Sequence, residues 1–311
     1  MSGGAPPRNA AAALWLVLGA AAVTAMFAFA KLLEGRYGAF QITFIRGACG
    51  ALLLTPPIIW RIGLSALKTS RPILIFWRSI VGTLTMVFGY MALPRLPLAD
   101  VQAISFASIL FMVPLAALIL GERIGVRRTG AALIGFVGVL IMLRPSGQIN
   151  LGALAALASA LCFALTIISL RLISRHMTSE AAYVWGIWLM AALSAPFAFF
   201  MWRAPDLQDW GLLLAIAGAG ALSQYCYVRA YSLGEATAIS PTEYVKLVFA
   251  AAVGFWAFGE IIDAWTAVGA AIIVSTSLYI WRREALLARG GHLQASAARS
   301  SAADTPSKEI S

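Results

Sequence analysis

Apolar runs long enough to cross a lipid bilayer recur along the whole chain, and they constrain its fold more than any other feature. A transmembrane helix needs about 20 mostly apolar residues, because its backbone polar groups must find partners within the helix. The chain is 61% hydrophobic and 12% charged, against roughly 45–50% and 25% in soluble domains, so lipid must be part of its solvent. Ten such runs are predicted: 12–32, 39–60, 73–93, 99–121, 127–143, 151–173, 181–202, 209–232, 237–259 and 265–282.

Several function classes lack the residues that they require. The three cysteines, Cys49, Cys162 and Cys226, all lie inside apolar runs, so their number and spacing argue against a disulfide framework or a zinc site. No Gly-Lys-Ser or Gly-Lys-Thr occurs, so a phosphate-binding loop and ATP hydrolysis are not expected. The net charge of +10 comes from cations in short loops and not from one soluble face, which argues against nucleic acid. We expect no cofactor, no metal and no enzymatic activity.

The distribution of Lys and Arg predicts the orientation. If the N-terminus is cytoplasmic, the cytoplasmic segments hold thirteen cations and the opposite side holds five. This excess follows the positive-inside rule and predicts a multi-pass protein of the cell inner membrane with both termini in the cytoplasm. The five outer cations are Lys31, Arg36, Arg95, Arg144 and Arg203.

The two halves of the chain repeat. Residues 92–122 align without a gap with residues 230–260; both stretches begin with Ala and end in Gly-Glu, and Phe111 matches Phe249. Each half holds five predicted helices, so the second must enter the membrane in the opposite orientation, as in inverted-repeat transporters. We predict an N-terminal cytoplasmic segment at 1–11, repeats at 12–145 and 146–284, and a disordered cytoplasmic tail at 285–311.

Three ionisable residues stand out because they lie inward of the ends of the predicted spans: Arg46, Glu243 and Lys246. Such groups are costly in a membrane and mark functional sites by default. Glu243 and Lys246 are three residues apart, hence on one face of a helix, and Pro241 just before them suggests a kink. The pair could bind a zwitterion or exchange a proton, or it could form an ion pair that merely neutralises itself. Arg46 could instead extend to the outer headgroups.

Polar and aromatic residues form a second set of candidates. Gln102 belongs to a stripe with Ser105 and Ser108, and Gln224 lies mid-helix; either could line a cavity or hold helices together. Lys31, at the outer end of the first helix, could line the pathway or reach the interface. Trp188, together with Trp185 on the same predicted helix and Tyr225 and Tyr227 on the next, could stack on a flat ligand or face lipid. Glu122 and Glu260 end their helices and are interpreted as structural partners of cations.

The chain resembles the drug/metabolite transporter superfamily, and within it the ten-helix proteins with two EamA-type domains. The resemblance covers about residues 12–283 and implies an all-α membrane protein of ten transmembrane helices. The stretch around Glu243 is similar to a subgroup of riboflavin uptake proteins, S-adenosylmethionine carriers and exporters of opine-type metallophores, and this likeness adds Tyr244 to the candidates. The segments that carry the resemblance are Lys31-Leu32-Leu33, Gln41, Phe44-Ile45-Arg46-Gly47, Leu96-Pro97-Leu98-Ala99-Asp100, Gly121-Glu122-Arg123, the run 240–249 and Phe258-Gly259-Glu260.

These observations predict a secondary transporter of a small polar metabolite, with its site between the two five-helix units. Export of an amino-acid-derived, zwitterionic compound such as an opine-type metallophore is favoured. Uptake of riboflavin or S-adenosylmethionine is the alternative, and a non-transporting subunit or a lipid-modifying enzyme is the alternative of another class. The expected partners are a small-molecule substrate, membrane lipid and a proton or counter-substrate; a homodimer is one option for the assembled state.

Overall fold

Helices make up nearly all of the chain that the computed structural model describes, which comprises residues 9–33, 35–69, 71–121, 126–143, 150–173, 177–233, 240–261, 263–276, 278–279 and 282. The predicted tail 285–311 and Glu122 lie outside the described residues, as do residues 1–8 of the predicted N-terminal segment. The helices are α1 Asn9–Leu32, α2 Ala39–Ile62, α3 Pro72–Ala92, α4 Leu98–Ser105, α5 Ala107–Leu120, α6 Val126–Leu143, α7 Leu151–Ile173, α8 Ser179–Phe200, α9 Leu207–Leu233, α10 Val245–Phe258 and α11 Ala264–Thr276, with 3₁₀ turns at Leu64–Leu67 and Ser240–Tyr244.

The described helices account for the ten predicted spans. Seven segments are long and apolar enough to cross a membrane; one of them, Leu98–Ile119, combines α4 with most of α5. The shorter apolar helices α6, α10 and α11 supply the other three. The protein is therefore an all-α membrane protein built from two inverted five-helix units, as the sequence predicts.

Two of the predicted continuous helices are interrupted in the structure. The run 99–121 breaks at Phe106, whose backbone N–H donates to Ala103 over 3.1 Å, a bond to the third and not the fourth preceding residue. In the run 237–259, the stretch Ser240–Tyr244 is a 3₁₀ turn and α10 starts only at Val245. Such tighter turns change the helix direction and expose backbone groups locally.

The two interruptions fall at equivalent positions of the repeat. The alignment of 92–122 with 230–260 places Phe106 opposite Tyr244, and their backbone angles are nearly equal, φ −69° and ψ −15° against φ −65° and ψ −15°. The helices that follow, α5 and α10, each have 14 residues. Each ends at a glycine with positive φ, 68° at Gly121 and 64° at Gly259, a conformation that disfavours a β-carbon. The internal repeat is therefore preserved in local backbone geometry.

The two units are interlocked in the membrane. The most extensive helix contacts pair α1 with α9, α2 with α8 and α3 with α7, and each pair takes one helix from each unit. A movement of one unit against the other must therefore be distributed over interfaces that run through the middle of the protein.

Contacts between loops agree with the predicted alternation of spans. On the predicted outer face, Arg36 forms an ion pair with Asp209 at 3.0 Å, and the Tyr37 hydroxyl donates to the same carboxylate over 2.6 Å. Burial and this hydrogen bond raise the pKa of Tyr37 above its ordinary value. On the opposite face, Arg61 pairs with Glu180 at 2.9 Å. Loops predicted to share a face thus lie together.

Candidate functional site

Two aromatic rings from the equivalent breaks of the repeat stack on each other. The Phe106 and Tyr244 ring centroids are 4.7 Å apart and their planes differ by 19°. We call this pair the hinge stack. Because its members occupy the same position in the two inverted units, the hinge stack lies where the units are related by the pseudo-two-fold axis. Binding sites of inverted-repeat transporters lie at such repeat interfaces, beside discontinuous helices.

Lys246 and Glu243 flank the hinge stack but do not pair with each other. The Lys246 ammonium lies over the Phe106 ring, 4.1 Å from its centroid. The Glu243 carboxylate instead accepts a hydrogen bond from the Tyr231 hydroxyl of α9 over 2.6 Å. No ion pair within 4.0 Å joins Glu243 to Lys246. Although the two residues are three apart in sequence, the Tyr231 hydroxyl holds the Glu243 side chain and the Phe106 ring takes the Lys246 ammonium.

Arg46 points into the protein between helices of both units. Its Nε lies 3.2 Å from the Met26 sulfur of α1, and its Nη1 lies 3.5 Å from the Met190 sulfur of α8. A β-carbon added at Gly220 of α9 would lie 2.9 Å from the Arg46 Nε, so the glycine makes room for the guanidinium. Thioether sulfurs are weak acceptors, and among the described residues no carboxylate forms an ion pair with Arg46.

Two buried donors close to these cations lack a hydrogen-bond partner among the described residues. The Gln102 Nε2 and the Tyr90 hydroxyl are unpartnered although each side chain is only 3% exposed. Gln102 lies one helical turn before Phe106, and Tyr90 interacts electrostatically with Arg46. Gln224 is half-buried on α9 and makes no hydrogen bond within the described part of the chain. Buried unpartnered donors call for an explanation, and a ligand that accepts hydrogen bonds supplies one.

Lys31 belongs to a separate cluster at the predicted outer face. Its ammonium forms an ion pair with Glu260 and donates to the Leu96 carbonyl over 2.6 Å. The second oxygen of Glu260 accepts the Leu98 backbone N–H over 2.7 Å. We call these two side chains and two backbone groups the outer latch, because they join the ends of α1, α4 and α10 and hence the two units. The cation partner of Glu260 is thus a residue of α1.

The remaining candidates are engaged elsewhere. Trp188 is 45% exposed and donates from Nε1 to the Thr55 hydroxyl over 3.0 Å. Trp185 donates in the same way to the Leu67 carbonyl over 2.9 Å. Tyr225 packs edge-on against Trp15 with 5.8 Å between centroids. In the described structure, Trp188, Trp185 and Tyr225 lie away from the hinge stack.

The structure thus gathers some predicted site residues and adds others. Lys246, Tyr244 and Glu243 lie at the hinge stack, with Gln102 one turn from it, whereas Lys31 and Trp188 lie apart. Sequence reasoning missed Phe106, Tyr90, Met26, Met190 and Gly220. The repeat alignment offered a signal for Phe106, because it stands opposite Tyr244; no sequence signal marked the sulfur atoms around Arg46.

Comparisons with known proteins agree with this architecture. The EamA-like transporter family model matches the chain twice, over residues 10–144 and 150–282. One solved crystal structure, 20% identical, has the same fold with a TM-score of 0.60, covering 88% of this chain and 99% of its own.

Three curated relatives are transporters with different named cargoes. The S-adenosylmethionine uptake transporter of Rickettsia bellii is 30% identical, covering 86% of this chain and 91% of the relative. The pseudopaline exporter CntI of Pseudomonas aeruginosa is 30% identical, and the match covers 86% of this chain and 95% of the relative. The riboflavin transporter of Rhizobium johnstonii is 28% identical, covering 90% and 93%. The chain therefore belongs to the EamA-like transporter family of the drug/metabolite transporter superfamily and is a small-molecule transporter with two EamA repeats.

Proposed function

We propose that the protein is a secondary exporter of an amino-acid-derived compound, with its cargo site around the hinge stack. The observation that carries this proposal is the separation of Glu243 from Lys246. Each faces a different neighbour at the repeat interface, so both charges are available to groups of opposite sign on a cargo. The similarity to an exporter of pseudopaline supports this direction of transport.

Uptake of S-adenosylmethionine or riboflavin is the alternative function. Similarity to the named uptake proteins supports it at comparable identity. A riboflavin-type ligand calls for aromatic stacking surfaces, and the positions of Trp188 and Tyr225 away from the hinge stack count against their use for that purpose.

The proposal includes the cellular setting. The protein resides in the inner membrane with both termini in the cytoplasm, with repeats at 12–145 and 146–284. The excess of Lys and Arg on one side supports this orientation.

Transport, and not catalysis, is the activity of the protein, and a proton or counter-substrate gradient drives it without ATP. Flux in sealed vesicles that survives an uncoupler but requires ATP would contradict the coupling.

The test of the site uses Glu243→Gln, alone and with Lys246→Met. We expect the single variant to abolish export while folded protein remains in the membrane, because neutral Gln can neither exchange a proton nor balance a cation on the cargo. On translocon-insertion scales, a lysine at the centre of a helix adds a penalty of about 2.5–3.5 kcal/mol, which one helix among ten can absorb. Metabolite profiles of medium and cytosol, compared with those of a deletion strain, measure the export.

The double variant, Glu243→Gln with Lys246→Met, distinguishes a cargo site from a pair of charges that only neutralise each other. If the two charges serve only to neutralise each other, the double variant should transport normally. If they form the site, it should insert normally and still fail to transport. Tyr231→Phe is the matched control, because it removes the hydrogen bond to Glu243 without altering charge, and it should reduce flux less than Glu243→Gln. Near wild-type flux from the double variant at matched abundance would remove both residues from the site.

A further inference from the structure

Three of the charged residues that lie deepest in the described helices are cations. Arg46, Arg78 and Lys246 lie at least six residues from either end of their helical segments. Among the described Asp and Glu residues, all but Glu243 lie in a loop or within one turn of a helix end, and Glu243 lies three residues before Lys246. In the part of the chain that the structure describes, the interior of the membrane domain therefore carries a net positive charge.

None of these three cations has a carboxylate partner among the described residues. Arg46 contacts two thioether sulfurs, and Lys246 contacts the face of Phe106. Arg78 donates from Nη1 to the Ala182 carbonyl over 3.1 Å, and its Nε has no partner. A cation–π contact offsets only part of what it costs to remove an ammonium group from water. Within the described part of the chain, these positive charges thus have no carboxylate in ion-pair contact with them.

The unpartnered neutral groups favour the same kind of ligand. The Gln102 Nε2 and the Tyr90 hydroxyl can both donate hydrogen bonds, and both are buried, Gln102 one helical turn before Phe106 and Tyr90 where it interacts electrostatically with Arg46. Cations together with buried donors form a binding environment for carboxylates. The nearest acidic group, Glu243, is held by Tyr231 and supplies one negative charge at the edge of this region.

Arg46 and Lys246, the two cations that donate no hydrogen bond to a backbone carbonyl, lie at different depths in the membrane. With a rise of about 1.5 Å per residue, Arg46 lies about 10 Å and Lys246 about 18 Å from the predicted outer ends of their helical segments. Two carboxylates of one extended molecule, or of one molecule in two successive positions, match this arrangement. Arg78 is tied to α8 by its bond to Ala182 and is left outside the proposed contacts.

We propose that the cargo is an amino-acid-derived compound with at least two carboxylates and a net negative charge, whose carboxylates pair with Arg46 and Lys246. This inference rests on the proposed transport function and narrows its substrate class. It sets the cargo apart from S-adenosylmethionine, whose sulfonium and ammonium groups outweigh its single carboxylate, and from uncharged riboflavin.

The first experiment measures ligand-induced thermal stabilisation of the purified full-length protein in lipid nanodiscs. The probes are γ-glutamylglutamate, its trimethyl ester, S-adenosylmethionine and riboflavin. We expect γ-glutamylglutamate to raise the melting temperature and the ester, which has the same backbone without carboxylates, to leave it unchanged. Arg46→Gln and Lys246→Met should each weaken the apparent affinity for γ-glutamylglutamate at least tenfold.

A second readout needs no ligand. Because Lys246 is uncompensated in the cargo-free protein, Lys246→Met should leave its melting temperature unchanged or raise it, while abolishing the anion-dependent increase. A fall in the cargo-free melting temperature would assign Lys246 to the core and overturn the inference.

The remaining outcomes separate this inference from the proposed function. Stabilisation and proteoliposome flux with S-adenosylmethionine alone would refute the anionic class but leave an amino-acid-derived cargo in place. A response to riboflavin alone would refute both, and a response to none of the probes would refute the anionic class. Binding of γ-glutamylglutamate that Lys246→Met abolishes, without flux in proteoliposomes, would support the anionic site and refute transport.

Discussion

Replacing Glu260 by glutamine should open the outer latch. Glutamine keeps a carbonyl oxygen for the Leu98 N–H but loses the charge that pairs with Lys31. Both side chains are nearly buried, with 16% exposure for Lys31 and 15% for Glu260. Removing one partner of a buried pair destabilises by about 3–5 kcal/mol, whereas an exposed pair is worth at most about 1 kcal/mol.

The latch should fall between these limits and closer to the first. We take the loss of stability in Glu260→Gln as about 2–3 kcal/mol. It applies only to the state in which the latch is formed, because both side chains are hydrated once the two units separate. By population-shift arithmetic, this changes the ratio of closed to open protein by about 30- to 150-fold. A shift of that size converts a minor open state into a readily measured one.

The assay is a distance measurement across the predicted outer face. Spin labels at Arg95→Cys and Ile261→Cys, both at exposed positions, report on the gap between the two units when the native cysteines are replaced by alanine. Pulsed electron paramagnetic resonance should show one short distance with Glu260 intact and an added longer distance in Glu260→Gln. Glu180→Gln, which breaks the more exposed pair with Arg61, is the matched control and should leave the distribution unchanged. Identical distributions for Glu260→Gln and the parent would refute the latch.

Three further predictions concern the outer latch, the surroundings of Arg46 and the topology. Gly254→Ala places a β-carbon 2.7 Å from the Glu260 Oε2 and should lengthen the distance across the outer face as Glu260→Gln does, measured with the same labels. Gly220→Ala should displace Arg46 and reduce cargo affinity about tenfold, corresponding to about 1.4 kcal/mol, while Gly218→Ala, with open space around its new β-carbon, should bind cargo normally in the thermal assay. Reporter fusions at residues 147 and 311 should report opposite sides of the membrane, and the same side for both would contradict the topology.

Much of the architecture could be predicted from the sequence because membrane burial acts on each helix separately. An apolar run of spanning length must form a helix regardless of its neighbours, so ten runs gave ten spans. The repeat was readable for the same reason: Gly121 and Gly259 end equivalent helices with the same backbone conformation.

The site was less predictable because its contacts join residues that are distant in sequence or depend on small departures from helix geometry. The spacing of Glu243 and Lys246 predicts neighbours on one helix, but the Tyr231 hydroxyl on α9 holds the first side chain and the Phe106 ring contacts the second. Likewise, Lys31 was recognised as a cation at a helix end, whereas its partner Glu260 depends on how α1 and α10 pack. Such pairings require three-dimensional packing, which no local pattern contains.

The equivalence of the two helix breaks has a consequence for the direction of transport. In the repeat, Ser105 occupies the position of Glu243 and Ser108 that of Lys246, so one unit carries hydroxyl groups where its inverted counterpart carries charges. Two identical units would exchange roles when the protein changes its open side, and the two states would have equal energies. With charges at these two positions in one unit only, the exchange places them in different surroundings, and the energies must differ. The duplicated chain thus has an intrinsic polarity across the membrane, and the differences at these two positions beside the axis that relates its halves contribute to it.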